Sequence, residues 1–444
     1  MKIEISLSFK CYGIKFKLIG VALIMIAQKL VLPSDHHERL HYVKRSFSIA
    51  NNASFSGAKS SQDLRLSWRG GRSEALAKMH SINAVAYNKN RNFLNGAVTR
   101  LSPYLRHGCL TLNEAFDFAK AKFGQDAEKL LFEFAWRDYW RQVWYAEGDA
   151  IFSEMEPPKV AISHAPLSDA VMQGKTGLPC MDGFIQELLV YGYVHNHARM
   201  WLASYIVHYL KIDWRAAADW FEAHLLDGDI ASNHLSWQWV TSTFSSKPYF
   251  FNKENLSRYT GEKYCASCKV ECPFDASYEV LNERLFNKTL VPIAKQYSIT
   301  SLPKMLPSVH SASAVFVHDA MLSPANPILK QPFPKFFVFD PQIHGAFSLN
   351  RLQFIADCLA EIPSVEVWIG DTYDVLTQRG VGRITTQNIP NLKIKALLEP
   401  FSPVWEREPK FVDVEISSKR LKRFSRYWEK VGPLVLGDAN YRKP

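Results

Sequence analysis

Cysteine is scarce in this chain of 444 residues, which contains seven, and no long apolar run is present. Only Cys265, Cys268 and Cys272 are closely spaced, which excludes a secreted disulfide scaffold. The apolar run 18–27, at roughly ten residues, is too short to span a bilayer, so we expect no stable membrane insertion. Lysines precede this run, so it is either the apolar part of a targeting peptide or part of a poorly structured extension.

Tryptophan is absent between Trp144 and Trp201, although the chain contains 12 tryptophans, and no repeat or low-complexity tract is present. The hydrophobic content of 47% and charged content of 22% indicate a globular protein with a sizeable core. A net charge of +10 suits a DNA partner, because neutralising phosphates releases counterions; ordinary surface lysine explains the charge equally well. We expect a cytoplasmic monomer, or an organellar or nuclear one if the N-terminus is a targeting peptide.

The chain changes character near residue 305. Before it, apolar residues recur with helical spacing; after it, short β-rich runs alternate with a helical pattern over 348–361. Strands are predicted at 314–318, 335–340, 365–370, 383–386 and 393–397. The predicted fold class is therefore α + α/β, a mostly helical domain followed by a C-terminal Rossmann-like α/β domain. The predicted boundaries are an extension at 1–65, a helical domain at 66–304 with a Cys-rich loop at 264–275, a Ser/Pro-rich switch at 301–313, and an α/β domain at 312–444.

An acidic pair is the centre of the strongest motif. Asp227 and Asp229 flank a glycine, so the backbone can turn tightly while their side chains converge. Arg199 is a natural partner, because a buried carboxylate requires pairing. Asn233 follows Asp229 by four residues, on the same face of a helix. Carboxylates can accept flavin N–H and ribityl hydroxyl groups, and an amide can meet the ring. Solvated acids and a capped helix explain each residue alone, but the constellation indicates a flavin site.

The segments 193–200 and 227–239 resemble the flavin-cradling core of the DNA photolyase and cryptochrome family. The resemblance covers roughly 66–260 and extends to the segments 68–76, 87–93, 99–105, 133–140 and 176–182. It implies a photolyase-type helical domain that binds FAD. The implied cofactor contacts are Tyr87, Thr99, Ser102, Arg137, Asn196, Arg199, Asp227, Asp229 and Asn233.

The resemblance also implies an electron-transfer route. Its catalytic residues would be Trp237, Trp214, Asn233 and Glu133, with Trp237 as the indole next to the flavin and Trp214 as the middle one. The outermost indole of the usual triad should fall within 155–170, where this sequence has no tryptophan. The route therefore ends through another aromatic ring, or the protein is weakly photoreducible. Trp201 and Trp220 are equally well explained as core residues or as relays.

The residues that the family uses to bind a DNA lesion are partly present in this sequence. Trp136 and Trp239 match the indoles that sandwich a flipped pyrimidine dimer, and Met200 matches the same pocket. His197 stands where many repair enzymes have an arginine that binds backbone phosphate. The implied function is light-driven repair of pyrimidine lesions, the activity of a deoxyribodipyrimidine photo-lyase. The alternatives are a cryptochrome-like blue-light photoreceptor without repair, which His197 and the missing indole favour, and a degenerate flavin-domain protein with a structural metal.

The Cys-rich loop has metal-ligand spacing. Cys265, Cys268 and Cys272 form a C-x2-C-x3-C pattern followed by proline, and Cys180 is the best fourth candidate. The pattern resembles the iron–sulfur branch of bacterial photolyases and cryptochromes, which implies a [4Fe–4S] cluster. Cys180 departs from that branch by about one helical turn. Structural zinc and no metal are the alternatives.

The C-terminal region resembles a domain that the family places first. The segments 314–329 and 336–341 resemble the first two strands of the family's α/β antenna domain, and 422–430 resembles the segment that leaves it. We therefore expect a circular permutation, which proteins tolerate where their termini lie close and exposed. An unrelated α/β appendage is the alternative. The sequence does not identify an antenna pigment for this domain.

Overall fold

The computed structural model describes residues 6–7, 16–19, 22–25, 27–49, 54–57, 68–286 and 305–437. Parts of the extension and of the 301–313 switch expected from the sequence lie outside these residues. The strands are β1 (Ser6–Leu7), β2 (Phe16–Ile19), β3 (Ala22–Met25), β4 (Gln28–Leu30), β5 (Ala312–Phe316), β6 (Lys335–Phe339), β7 (Val365–Ile369), β8 (Val381–Gln387) and β9 (Val404–Glu406). The helices are α1 (His36–Ile49), α2 (Arg72–His80), α3 (Ala84–Asn90), α4 (Ser102–Arg106), α5 (Leu112–Phe123), α6 (Glu128–Glu147), α7 (Asp169–Gln173), α8 (Pro179–Tyr191), α9 (Asn196–Ser204), α10 (Trp214–His224), α11 (Ile230–Thr241), α12 (Lys253–Thr260), α13 (Tyr278–Phe286), α14 (Pro341–His344), α15 (Leu349–Ala360), α16 (Thr372–Gln378), α17 (Leu392–Leu398) and α18 (Phe424–Leu436).

The chain divides into two compact units, each built from separate stretches of sequence. The α/β unit takes the described residues of Met1–Ala77, Pro103–Leu110 and Thr300–Glu408. The helical unit takes those of Lys78–Ser102, Thr111–Ile299 and Pro409–Pro444. No helix among the described residues has both the length and the hydropathy of a membrane span.

The α/β unit is built on a six-stranded sheet in the order β4-β7-β6-β5-β8-β9. The strands from β5 to β9 are parallel, and their spatial order 7-6-5-8-9 is that of a doubly wound sheet. Only β4 is antiparallel, on the edge beside β7. A separate antiparallel sheet contains β1, β2 and β3. The Rossmann-like α/β layer predicted from the sequence is therefore present.

The N-terminal part of the chain differs from the expected extension. The described residues of β4 and α1 belong to the α/β unit, where α1 packs on α15. Leu40, Val43 and Phe47 recur with helical spacing and are buried, and Phe47 packs edge-on against the ring of Phe339 at 4.9 Å between centroids. The surrounding polar residues obscure this stripe in the sequence.

The segment 393–397 is a helix, so its prediction as a strand was wrong. Asn391 caps α17 by accepting from the main-chain nitrogens of Lys393 and Ile394. Ile394 and Leu398 are buried one turn apart, which is the helical and not the alternating arrangement. The other predicted strands overlap β5 to β8.

The helical unit has α6 near its centre, in contact with α11 and α18. The contact with α18 differs from the expected boundary, because the sequence predicted 312–444 as one α/β domain. Tyr427 of α18 donates from its hydroxyl to Oδ2 of Asp138 at 2.6 Å, which fixes α18 on α6. Such a contact joins residues far apart in sequence and has no local signal.

Candidate functional site

Asp227 is held by an ion pair just before α11. Arg199 of α9 donates from Nη2 to Oδ2 of Asp227 at 2.9 Å, the pairing expected from the sequence, and from Nε to the oxygen of Val194 at 2.8 Å. The other carboxylate oxygen, Oδ1, is buried and has no hydrogen-bond partner among the described residues. A buried acceptor without a donor is costly, so this oxygen is an open position for a ligand N–H or O–H group.

Asp229 caps α11 and faces a cation from a second helix. Its Oδ1 accepts from the main-chain nitrogen of Ser232 at 2.8 Å. Arg137 of α6 places Nη2 3.5 Å from Oδ2 of Asp229. The main-chain nitrogen of Asn233 donates to the oxygen of Asp229 at 2.8 Å, so the amide side chain lies one helical turn beyond the acid. The cap thus brings an acid, an arginine and an amide to one end of α11.

Asn233 is oriented by two hydrogen bonds. Its Nδ2 donates to the oxygen of Ala218 on α10 at 2.9 Å, and its Oδ1 accepts from Nε1 of Trp237 at 3.2 Å. Trp237 is buried, with Phe221 edge-on against its ring at 5.8 Å. These contacts place the indole directly beside the amide that the sequence predicts at the flavin ring.

A second cluster joins α3 to α6. Nε of Arg91 lies 3.7 Å from Oε1 of Glu133, and its guanidinium lies 5.8 Å from the centre of the Tyr87 ring. Burial raises the pKa of the Tyr87 hydroxyl. Burial also raises the pKa of Glu133, although Arg91 opposes the change. A carboxyl group with a raised pKa can keep its proton and donate it in a hydrogen bond to a ligand.

Thr99, Ser102 and Asn196 are three further residues that the sequence predicts at the cofactor. Oγ1 of Thr99 accepts from the main-chain nitrogen of Leu101 at 3.3 Å. Ser102, at the start of α4, makes a side-chain hydrogen bond with Tyr193, whose pKa is raised by burial. Asn196 is the exposed first residue of α9. Ser102 therefore lies near the tyrosine that Arg199 also contacts, at 5.3 Å from its ring centre.

Trp214 lies at the start of α10 and is almost fully buried. Its Nε1 donates to Oε1 of Glu154 at 3.3 Å, and Arg215 lies 3.3 Å from the same oxygen. Trp201, the other open relay candidate, is fully buried and donates from Nε1 to Oδ1 of Asn255 at 3.1 Å. It packs in the core of the helical unit.

The face of Trp136 is covered by another aromatic ring. Phe424 of α18 stacks on it with 3.7 Å between ring centres and 7° between planes. Trp239 contacts Tyr249 at 5.7 Å, tilted by 33°. Both indoles are half-buried, as is Met200 on α9. The two indoles predicted to sandwich a base therefore differ, because only Trp136 has a parallel ring against it among the described residues.

His197 is arranged as a neutral ring. It stacks on Trp201 at 4.2 Å and lies 4.7 Å from Tyr259. Its Nδ1 donates to the oxygen of Asn92 at 2.9 Å. Burial lowers the pKa of His197, so the ring adds no charge near neutral pH. Its contacts are those of a packed aromatic residue.

All four predicted metal-binding cysteines line one cavity. Cys180 comes from the first turn of α8, while Cys265, Cys268 and Cys272 come from the loop after α12. Burial raises the pKa of Cys180 to about 12 and also raises the pKa values of Cys265 and Cys272. Within the part of the chain that the structure describes, no three potential ligands are close enough to hold a metal ion. The sulfurs thus share a cavity but do not form a coordination geometry.

Residues 130–296 match the FAD-binding domain of DNA photolyase. This segment is therefore similar to the FAD-binding domain of photolyases and cryptochromes. The chain is 38% identical over 148 residues to a deoxyribodipyrimidine photo-lyase of Streptomyces griseus, covering 33% of this chain and 32% of that protein. It is 34% identical over 183 residues to the chloroplastic/mitochondrial cryptochrome DASH of Solanum lycopersicum, covering 38% and 32%. The matching segment therefore spans about a third of the length of these relatives.

Solved structures of a cryptochrome and a photolyase are also similar to part of the chain. A Synechocystis cryptochrome has a TM-score of 0.41 and 27% identity, over 44% of each chain. A bacterial class III photolyase from Agrobacterium tumefaciens has a TM-score of 0.40 and 22% identity, over 51% of this chain and 57% of that one.

The helical unit contains further polar residues that the sequence did not single out. Nδ1 of His195 accepts from the nitrogen of His197 at 3.2 Å and caps α9, while its Nε2 is buried without a partner in the described ranges. Burial lowers the pKa of His195 to about 4, so the ring is neutral. Arg100 has φ of 53°, a left-handed conformation that is uncommon for a side-chain-bearing residue. His195 could have been singled out from the sequence, because it lies inside the 193–200 motif. Nothing in the sequence indicated the conformation of Arg100.

Proposed function

We propose that the chain is a light-driven flavoprotein that holds FAD at the N-terminal end of α11. The observation that carries the proposal is Oδ1 of Asp227, which is buried and has no partner among the residues that the structure describes, beside an Oδ2 already neutralised by Arg199. A flavin can satisfy this acceptor with an N–H or ribityl hydroxyl group. FAD, when bound, supplies one-electron transfer on excitation by blue light.

The residues around this acceptor bind and orient the cofactor. Arg199 and Arg137 hold Asp227 and Asp229, so neither acid has to be charged without a counterion. Asn233 presents an amide of fixed orientation, because Ala218 and Trp237 occupy one donor and one acceptor position. A fixed amide loses little freedom on binding a ring, which favours affinity.

Flavin content tests the site directly. Asp229→Ala is expected to yield colourless protein, because it removes both the carboxylate and the charge that faces Arg137. Asn252→Ala is the matched control, since Asn252 caps α12 in the same way but does not belong to the site. Stoichiometric FAD in purified Asp229→Ala protein would refute the site.

The relay proposal concerns Trp237 and Trp214. Trp237→Phe is expected to slow flavin photoreduction about tenfold or more, because a ring that is harder to oxidise would replace the indole beside Asn233. Trp201→Phe is the control, because Trp201 packs in the core. Unchanged kinetics in Trp237→Phe would mean that electrons follow another route.

We infer a pyrimidine lesion in DNA as the substrate. Glu133 supports this inference as a partly buried carboxyl group that can hydrogen-bond to a base edge, and Trp136 and Trp239 offer stacking surfaces. The neutral His197 and the ring of Phe424 against Trp136 favour the second candidate, a cryptochrome-like photoreceptor. Anaerobic repair of an oligonucleotide containing a pyrimidine dimer, under blue light, separates the two. Turnover indicates a photolyase; photoreducible FAD without repair indicates a photoreceptor.

The cysteine cavity is proposed as a metal site, with a [4Fe–4S] cluster first and zinc second. Four thiols from two segments around one cavity support it, although they must approach one another before they can ligate. Cys268→Ser is expected to remove a broad visible absorbance and the iron, or else the zinc, found by elemental analysis. Cys109→Ser, which changes a buried thiol of the other unit, is the control. No change in either measurement would eliminate the site.

The α/β unit is proposed to correspond to the family's antenna domain, moved after the FAD-binding domain. Its doubly wound strand order supports the correspondence, and β4 on its edge shows that residues from the N-terminus also enter the unit. An experimental structure in which β5 to β9 superpose on an antenna domain, strand for strand, is the expected result. A different strand order would indicate an unrelated appendage.

A further inference from the structure

One face of Trp136 is occupied from within the chain. The stack with Phe424 has ring centres 3.7 Å apart and planes within 7°, so no other ring can occupy that face while Phe424 is present. Phe424 is itself stacked on Trp428, at 6.0 Å and 15°, and Phe132 lies edge-on to both. The aromatic side chains of α18 therefore extend the stack away from Trp136.

Polar contacts on both sides hold Phe424 in place. Arg423, the preceding residue, donates from Nη2 to Oε2 of Glu156 at 2.9 Å. Three residues after Phe424, Tyr427 donates to Asp138 at 2.6 Å. These contacts hold the segment on either side of Phe424, whose ring is buried.

The segment around Phe424 is also basic. Lys419, Lys422 and Lys430 are exposed, and Arg426 is exposed on the same helix. Exposed cations next to an aromatic face are the combination that binds single-stranded nucleic acid, where phosphates meet the cations and bases stack on the rings. The same segment therefore covers one face of Trp136 and carries exposed positive charge that would attract a nucleic acid.

We infer that Phe424 is an intramolecular plug on the base-stacking face of Trp136, and that an unstacked nucleobase and Phe424 compete for this face. The inference rests on the proposed role of Trp136 in base binding and takes the face under Phe424 as the one that a base would use. Because the open form is only a fraction of the molecules, the measured affinity for nucleic acid is reduced by that fraction. Removing the plug should tighten binding without adding any contact.

The experiment measures binding of end-labelled oligothymidylate by fluorescence anisotropy to the full chain, at one fixed salt concentration. Phe424→Ala is expected to bind about tenfold more tightly than the unchanged chain, which corresponds to about 1.4 kcal/mol. Phe424→Leu keeps most of the side-chain volume but removes the ring, so it should show the same direction of change even if the alanine variant fails to fold.

The matched control is Phe411→Ala, which removes a buried phenylalanine of the same C-terminal stretch that contacts Phe116 and not Trp136. The effect of Trp136→Ala is also measured in two backgrounds, the unchanged chain and the Phe424→Leu variant. A plug predicts that Trp136→Ala weakens binding little in the unchanged chain and about tenfold in the Phe424→Leu background.

Three results would overturn the inference. The first is equal binding by Phe424→Leu, Phe411→Ala and the unchanged chain, and the second is a gain in Phe424→Leu that survives Trp136→Ala. The third is no binding by any variant while FAD is retained and photoreducible. That result removes the plug and leaves the flavin proposal intact, whereas loss of FAD from the unchanged chain points to failure of the flavin proposal.

Discussion

Asp227 in the helical unit and Asp319 in the α/β unit are both buried acids beside an arginine, yet their surroundings differ. Oδ2 of Asp319 accepts from Nη2 of Arg106 at 2.8 Å, and Arg351 lies 4.0 Å away. Its main-chain oxygen accepts from Nδ1 of His107 at 2.7 Å. Burial alone would raise the pKa of Asp319, but the guanidinium groups of Arg106 and Arg351 help to hold it well below its usual range. Asp227 has one arginine and one buried oxygen without a partner in the described part of the chain.

The difference separates a structural charge cluster from a ligand site. A buried ion is tolerated when the protein supplies its counterions and hydrogen bonds, and Asp319 leaves neither carboxylate oxygen buried and unpartnered. Asp227 leaves one acceptor that only a group from outside the described chain can satisfy. Burial and charge alone would not distinguish the acid of a ligand site from the acid of a structural cluster.

The largest effect is expected at Asp319. Asp319→Asn removes the buried carboxylate that Arg106 and Arg351 both face, so we expect a loss of about 3–5 kcal/mol in the free energy of unfolding. Urea denaturation followed by circular dichroism measures it, and bound FAD per folded protein should be unchanged. A stable variant that loses FAD would reverse the assignment of the two acids.

Asp227→Asn is expected to act on the ligand. It removes a charged acceptor, so FAD affinity should fall about 10–100-fold, with a smaller loss of stability than Asp319→Asn because Arg199 is partly exposed. Asp219→Asn, which changes an acid paired with His234 outside the site, is the control. Flavin retained after extensive dialysis provides the measurement, and equal retention in the two variants would count against the open oxygen.

The charge cluster also predicts acid sensitivity. Burial lowers the pKa of His107 to about 3 and of His344 to about 4, from 6.5 in the unfolded chain. The unfolded chain binds more protons below pH 6.5, so stability is complete above that pH and falls as the pH is lowered towards the folded values. At pH 5 the expected loss is about 2 kcal/mol for each histidine.

His107→Asn tests this acid sensitivity, because an amide can replace the Nδ1–H donation to Asp319 but does not titrate. The unfolding free energy of this variant should change less between pH 7 and pH 5 than that of the unchanged chain, by about 2 kcal/mol. His310→Asn, at an exposed position of the same unit, should keep the full dependence. Parallel pH profiles for all three proteins would contradict the prediction.

The smallest effect is expected at Glu366, a partly exposed acid of the α/β unit. It pairs with Lys29 at 2.8 Å and with Arg379 at 2.9 Å, and both cations are largely in solvent. Glu366→Gln should therefore cost less than about 1 kcal/mol, since exposed ion pairs contribute little. A loss as large as that of Asp319→Asn would mean that pairing, and not burial, sets the cost.

Local patterns predicted much of the fold and of the site. The four-residue spacing of Asp229 and Asn233 indicated one helix face, and α11 has that geometry. The β-rich runs predicted β5 to β8, because strand residues alternate or cluster within a few positions. The prediction of a strand at 393–397 failed because the apolar residues of this segment fit a strand and a helix equally well. The N-cap at Asn391 favours the helix.

The sequence by itself determined the FAD-binding motif, the helical and α/β layers and the Cys-rich loop, since each depends on residues close together in the chain. Only the tertiary structure decided that β4 pairs with β7, that α18 packs on α6, and that Phe424 covers Trp136. Each of these contacts joins segments separated by hundreds of residues. Such contacts depend on which buried surfaces fit one another, and no local periodicity records that.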